Sequence, residues 1–85
     1  MEKYRIEIKK SAVKELNSIP RQYLQKVINK IKSLSSDPRP QGCVKLTNRE
    51  DYRIRVGNYR IIYSINDYVL IIIVVKIGHR KEIYR

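Results

Sequence analysis

The chain has 85 residues, with 19 Lys and Arg against eight Asp and Glu and a formal net charge of +11. Its length predicts one small domain with a single modest core, and its charge predicts a surface that attracts nucleic acid, an acidic protein or anionic lipid. A single cysteine, Cys43, excludes an internal disulfide. No signal-peptide pattern opens the chain, and the longest apolar run, Tyr68 to Val75, is far shorter than the roughly 20 residues of a membrane span. These features predict a cytoplasmic protein that does not span a membrane.

The first half of the chain predicts one strand and a helical hairpin. Apolar and charged side chains alternate over residues 4–8, which is typical of a strand with one buried face. Ser11 is expected to cap a short first helix, which stops before Pro20. Apolar residues at helical spacing over 24–34 predict a second, amphipathic helix.

The second half of the chain predicts a β-meander. The breaker-rich segment "SSDPRPQG" is a loop, and a strand follows that begins at Val44 to Leu46 and has its main part at Tyr52 to Val56. Gly57-Asn58 predicts a tight turn into a strand over 59–65, and Asn66-Asp67 a second turn. The last strand, 68–77, is apolar at almost every position and should lie inside the sheet. With the four strands numbered along the chain, the expected order is 2-3-4-1, in one α+β domain with the helical hairpin on one face.

Three arginines are predicted to share the other face of the sheet. If Tyr52, Ile54 and Val56 point into the core, Arg53 and Arg55 point outward, and the next strand adds Arg60 on the same side. Guanidinium groups keep their charge and match phosphate with paired donors, so this patch favours an anionic ligand. The alternative is that these charges only solubilise an exposed sheet.

The C-terminal segment "KIGHRKEIYR" interleaves aromatic and cationic side chains. Rings stack on unpaired bases while cations hold the backbone, so the segment suits RNA. The alternative is a basic tail packed on the sheet edge. A lone histidine without companion ligands does not predict a metal site, and no phosphate-loop or dinucleotide motif is present, so no cofactor is expected. The predicted RNA-binding residues are Lys45, His79, Lys81 and Arg85.

In the order and spacing of these pieces the chain resembles the RelE/ParE family of toxins, in particular RelE-type messenger RNA endonucleases. The pieces that carry the resemblance are "SIPRQYLQKVINKI", "DPRPQGCVKLTN", "DYRIRVGNYRIIYSI" and "VVKIGHRKEIYR". The resemblance implies a RelE-like β-α-α-β-β-β fold with a twisted, mainly antiparallel sheet. It also implies a toxin that cuts mRNA, commonly in the ribosomal A site, and that a cognate antitoxin silences.

Carried over to this chain, the resemblance implies catalytic roles for five residues. Arg60 would contact the scissile phosphate, Arg80 would be the second phosphate clamp, and Tyr84 would stack on a base or transfer a proton. Arg53 and Arg55 stand where several RelE-type toxins have lysines, so they suit charge stabilisation and not general-base chemistry. Metal-free attack by a ribose 2′-OH would then need a proton-handling group, for which Tyr84 and His79 are the candidates.

Two other functions remain open at this point, and partners are implied. A ParE-like toxin would poison DNA gyrase without cutting RNA, although the ending "GHRKEIYR" supplies groups that only a nuclease needs. The other is an inert basic RNA-binding module.

The expected partners are the ribosome with its mRNA and an antitoxin that wraps the arginines with an acidic or amphipathic helix. The toxin itself is expected to be monomeric or part of a toxin–antitoxin hetero-oligomer.

Overall fold

The computed structural model describes residues 3–47 and 50–79, which form a five-stranded sheet and two helices. The elements in chain order are β1 (Arg5–Ile8), α1 (Lys10–Asn17), α2 (Arg21–Ser33), β2 (Val44–Lys45), β3 (Asp51–Val56), β4 (Tyr59–Asn66) and β5 (Ile71–His79). The predicted α+β class is confirmed.

The strands lie in the order β1-β5-β4-β3-β2. β1 runs parallel to β5, and the other neighbours are antiparallel. The prediction that the first strand flanks the last one is therefore confirmed, and so is the interior position of the last strand. The segment from Val44 to Val56, predicted as one strand with a long lead-in, forms two strands that pair with each other, Val44 opposite Arg53 and Lys45 opposite Tyr52.

The core lies between the helices and one face of the sheet. Val27, Ile31 and Leu34 come from α2 and the residue after it, at the spacing that the sequence predicted, and each is at most 4 % exposed. Tyr63, the largest fully buried side chain of the described residues, packs in the same cluster. Burial of such side chains stabilises the fold by about 1.5–3 kcal/mol each. The sheet contributes Ile54, Ile61, Tyr63, Ile72, Val74 and Ile77 to this core.

Two predicted boundaries are wrong. Ser11 does not cap α1, because the residue at the N-cap position is Lys9. The backbone N–H of Lys9 donates to the carbonyl of Val74 in β5, and its carbonyl accepts the N–H of Val13 in α1. The last strand does not begin at Tyr68, which is 98 % exposed. The Asn66 side chain accepts hydrogen bonds from the N–H groups of Tyr68 and the residue after it, so the turn extends over them.

The loop between α2 and β2 is held at one end of the sheet by side-chain contacts. The Tyr63 hydroxyl donates to the carbonyl oxygen of Pro38 at 2.8 Å. The Arg39 guanidinium forms an ion pair with Asp67 at 2.9 Å and lies 5.2 Å from the centroid of the Tyr52 ring. The loop that the sequence predicted from its prolines is thereby fixed against β3 and the β4–β5 turn.

Candidate nucleic-acid interface

The pairing of β3 with β4 brings three arginines together on the face of the sheet away from the helices. Arg55 lies directly opposite Arg60, and Arg53 lies opposite Ile62, the next residue of β4 on that face. Side chains directly opposite one another in antiparallel strands have Cβ atoms about 5 Å apart. Arg53, Arg55 and Arg60, here called the arginine face, therefore form one cluster, as the alternation in the sequence predicted.

Burial differs among the three arginines. Arg60 is only 4 % exposed, Arg53 is half-buried, and Arg55 is exposed. On the other side of Arg60, its partner on β5 is Gly78, which carries no side chain. A charge in such a partly desolvated position acts on a nearby anion more strongly than a charge in open water. Arg55 offers the most accessible guanidinium of the cluster, and Arg60 the most enclosed.

His79 lies on the opposite side of the sheet from the arginine face. It pairs with Tyr59, and the two rings meet edge to face with centroids 5.6 Å apart. A β-bulge causes this placement: Ile62 pairs with Lys76 but Tyr63 pairs with Val74, so one extra residue on β5 reverses the alternation of its side chains. The expectation that His79 stands beside the arginines as a proton carrier is therefore wrong.

The other predicted site residues fall into two groups. Lys45 pairs with Tyr52, whose ring packs on the helix side, and its Nζ atom lies 3.9 Å from a carboxylate oxygen of Glu50. Lys45 is thus separated from the arginine face by the sheet. The C-terminal predictions, which are Arg80, Lys81, Tyr84 and Arg85, lie outside the described residues.

An aromatic cluster that the sequence did not single out surrounds Tyr59. Its ring lies 5.9 Å from that of Tyr23 on α2 and 5.6 Å from that of His79. The signal was present as a tyrosine in the first turn of α2 and another after the hairpin turn, but only the fold brings them together. Lys26 and Asn58 line a cavity beside this cluster.

Within residues 3–47 and 50–79, no three His, Cys, Asp or Glu side chains come together in a way that could hold a metal ion. Neither helix of this part of the chain has the length and apolar character to cross a bilayer. The chemistry that the described residues offer is electrostatic, because guanidinium groups bind and stabilise anions without exchanging protons.

Comparison with known proteins identifies the class of protein to which this fold belongs. Residues 6–84 match the family model described as the ParE toxin of type II toxin–antitoxin systems. A Methanocaldococcus jannaschii protein named as toxin RelE1 is 31 % identical over 87 residues, and the match covers 98 % of this chain and 97 % of that protein. The chain belongs to the RelE/ParE family of toxins.

Solved structures agree with this assignment. The archaeal RelE–RelB complex from Pyrococcus horikoshii contains a chain that is 32 % identical and superposes with a TM-score of 0.81, over 91 % of this chain and 94 % of that one. The Escherichia coli RelBE complex gives a TM-score of 0.78 at 22 % identity, over 89 % and 95 % of the two chains. At this identity the bacterial structure supports the fold alone. The resemblance found in the sequence is confirmed at the level of fold and family.

Proposed function

We propose that this toxin is an endoribonuclease that cleaves mRNA in the A site of the translating ribosome, and thereby stops translation and growth. The observation that carries the proposal is the direct pairing of Arg55 with Arg60, with Arg53 beside them. Guanidinium groups placed side by side on neighbouring strands offer several charged donors to one anion, and such donors match the geometry of phosphate. The resemblance to RelE-type mRNA endonucleases favours RNA phosphate as that anion, and the relatives at 31 and 32 % identity carry the name RelE.

The proposed reaction uses the RNA itself as the nucleophile. The ribose 2′-oxygen attacks the adjacent phosphorus, a new P–O bond forms, and the bond from phosphorus to the 5′-oxygen breaks. The products are a 2′,3′-cyclic phosphate and a 5′-hydroxyl group, with the proton of the 2′-OH leaving and a proton arriving at the 5′-oxygen. Negative charge grows on the phosphorane oxygens, where positively charged donors stabilise the transition state most. No metal ion is required for these steps.

Each arginine has a distinct part in this proposal. Arg60 contacts the scissile phosphate from its enclosed position, and the groups that cover it must move aside when RNA binds, because it is 4 % exposed. Arg55 is exposed and meets the phosphate first. Arg53 adds charge at the side of the cluster, and Arg80 is the second clamp that the resemblance implies.

Proton transfer in the proposed reaction falls to Tyr84. His79 lies on the opposite face of the sheet, which leaves Tyr84 of the two candidates that the sequence offered. Tyrosine has an ordinary pKa of about 10, so it is a slow base at neutral pH. Positioning of the RNA by the ribosome would compensate for this, because orientation alone can supply a large share of a rate enhancement. Lys81 and Arg85 remain predicted RNA contacts in the same segment.

We also infer that a cognate antitoxin binds this chain. The Pyrococcus relative was solved as a complex of RelE with RelB. A chain of net charge +11 with clustered arginines attracts a partner of opposite charge, and an acidic or amphipathic helix over the arginine face would block RNA. Because such a partner binds only the folded chain, the complex should melt at a higher temperature than the free toxin. A complex that forms without this shift would contradict the inference.

The function is tested by expressing the chain from a tightly controlled promoter and mapping the 5′ ends of cellular mRNA. The wild-type chain should arrest growth and produce new ends inside translated codons. Arg60→Ala should reduce cleavage by about 10²–10³-fold, which is the typical cost of removing one well-placed transition-state donor. Arg21→Ala is the matched control, since it removes the same charge from the exposed start of α2 and should remain toxic. Circular dichroism checks that each variant folds.

The same experiment addresses the alternative that the family description raises. The matching model is named for ParE toxins, and a toxin that poisons DNA gyrase would arrest growth with an SOS response while mRNA stays intact. That result would refute the nuclease. Full toxicity and cleavage in a folded Arg60→Ala variant would instead refute the role of the arginine face.

A further inference from the structure

A second candidate site lies on the helix side of the sheet, next to the turn between β3 and β4. It is an open cavity of about 270 Å³ whose walls come from the first turns of α2, the hairpin turn and the end of β5. This volume is slightly below the range of about 300–1,000 Å³ that is usual for small-molecule pockets. It suits one planar ring with a short polar extension better than a larger ligand. The residues that matter here are Tyr23, Lys26, Asn58, Tyr59 and His79.

The aromatic side chains of this cavity leave one ring open. Tyr59 is the central ring, with the rings of Tyr23 at 5.9 Å and His79 at 5.6 Å. Tyr23 is 44 % exposed, because α2 holds it at the rim and not in the core. An exposed tyrosine that a second ring supports is a platform on which an unpaired base can stack, whatever the base.

The polar groups of the cavity match a nucleotide. Lys26 follows Tyr23 by three residues on α2, so the two side chains lie on the same face of the helix. Asn58 presents an amide that both donates and accepts, which suits the edge of a base. No carboxylate is among the described residues that line the cavity, so the positive charge of Lys26 is available to a phosphate.

The acidic side chain of the neighbouring cavity is paired with a lysine and a backbone N–H. Glu15 lies in a neighbouring cavity that shares Tyr59 and His79. One of its carboxylate oxygens accepts the N–H of Ile77 at 2.9 Å, and the other lies 3.2 Å from the Lys76 Nζ atom. Glu15 therefore caps the N–H of Ile77, which lies beyond the end of the β1–β5 pairing, and it contributes little repulsion toward an incoming anion.

We propose that this cavity binds one unpaired nucleotide of RNA, with the base on Tyr23 and the phosphate on Lys26. The choice of RNA as ligand rests on the proposed function. The hairpin turn separates the cavity from the arginine face, so a single strand that passes around residues 56–59 reaches both. The cavity would thus hold a flanking nucleotide while the arginine face holds the scissile phosphate.

The test measures binding of a dye-labelled, 2′-O-methylated single-stranded RNA of about 10 nucleotides, which cannot be cleaved by 2′-OH attack. Fluorescence anisotropy with the full chain gives the dissociation constant. Tyr23→Ala should weaken binding at least about fivefold, since stacking contributes about 1–3 kcal/mol per base. Tyr23→Phe should bind like the wild type, because it keeps the ring. Lys26→Ala should weaken binding and lower the slope of log K against log salt by about one.

Matched controls separate the site from general effects. Tyr68→Ala removes a tyrosine that is 98 % exposed at the far end of the sheet, and Lys30→Ala removes a lysine one helical turn beyond Lys26 and outside the cavity. Tyr68→Ala should bind RNA like the wild type, and Lys30→Ala should change affinity less than Lys26→Ala. Equal affinities for Tyr23→Ala and Tyr68→Ala would overturn the proposal, and so would a wild-type chain that does not bind the RNA.

Failure of this site can be told apart from failure of the proposed nuclease. If mRNA is cleaved in cells but Tyr23→Ala does not change RNA affinity, the proposed nucleotide site is wrong and the proposed nuclease function stands. Binding that depends on Tyr23, in a chain that leaves cellular mRNA intact, supports the cavity and refutes the nuclease. If Tyr23→Ala weakens the antitoxin complex and leaves RNA binding unchanged, the cavity is a protein contact and the proposal is wrong.

Discussion

The hydrogen bond between Tyr63 and Pro38 provides a sharp test of what holds the loop between α2 and β2 in place. The Tyr63 side chain is 0 % exposed and its hydroxyl donates to the Pro38 carbonyl at 2.8 Å. Burial, and then the neighbouring Cys43, raise the pKa of Tyr63 above its usual value of 10.0, so the hydroxyl keeps its proton at neutral pH. Tyr63→Phe preserves the packing of the ring and removes only this donor. We expect a loss of about 1 kcal/mol in the free energy of unfolding.

For a domain of this size, that loss corresponds to a fall of about 4–8 °C in the thermal midpoint. Differential scanning calorimetry on the wild type and Tyr63→Phe measures it directly. Tyr68→Phe is the control, because the Tyr68 ring is 98 % exposed and its change should leave the midpoint unaltered. If Tyr63→Phe has the same thermal midpoint as the wild type, the buried hydroxyl does not hold the loop in place.

Three further changes test other parts of the fold. Gly57 has φ +59 and open space around it, so Gly57→Ala should cost about 1–2 kcal/mol through backbone strain alone, measured by urea unfolding. Hydrogen bonds from Arg39 and then Tyr4 hold the pKa of Asp67 below its usual value of 3.8. The stabilisation that ionised Asp67 provides is complete above that value and is lost as pH falls through the lower pKa of the folded state. The thermal midpoints of the wild type and Asp67→Asn should therefore converge in acid. Glu15→Ala removes the acceptor for Ile77 N–H and should cost about 1 kcal/mol and speed exchange of that amide, whereas Glu15→Gln should cost less.

Much of the fold follows from periodicity. The helical spacing of Val27, Ile31 and Leu34 predicted the buried stripe of α2, and all three are in the core. Alternation in the hairpin predicted that Arg53, Arg55 and Arg60 share a face, and the register confirms it. These predictions succeeded because each segment mixes apolar and polar residues, so the pattern has a phase that can be assigned to one side.

The wrong predictions fall in segments where apolar and polar residues do not alternate. β5 is apolar at nearly every position, so the sequence does not say which side of the sheet its end presents, and the bulge opposite Ile62 and Tyr63 then turns His79 toward the helices. Tyr68 and Val69 were predicted to lie in the last strand because they continue its apolar run. Hydrogen bonds from their N–H groups to the Asn66 side chain hold them in a turn instead. The cavity beside Tyr23 and Tyr59 depends on how α2 crosses the hairpin, which no local pattern encodes.

The proposal that the arginine face performs RNA cleavage is tested most directly in a reconstituted translation system. Purified ribosomes are stalled on a defined mRNA with an empty A site, toxin is added, and the new RNA ends are mapped over time. We predict cleavage within the A-site codon, little cleavage of free mRNA, and a rate at least about 100-fold lower for Arg60→Ala than for the wild type or Arg21→Ala. An intact mRNA, or equal rates for the wild type and a folded Arg60→Ala variant, would contradict it.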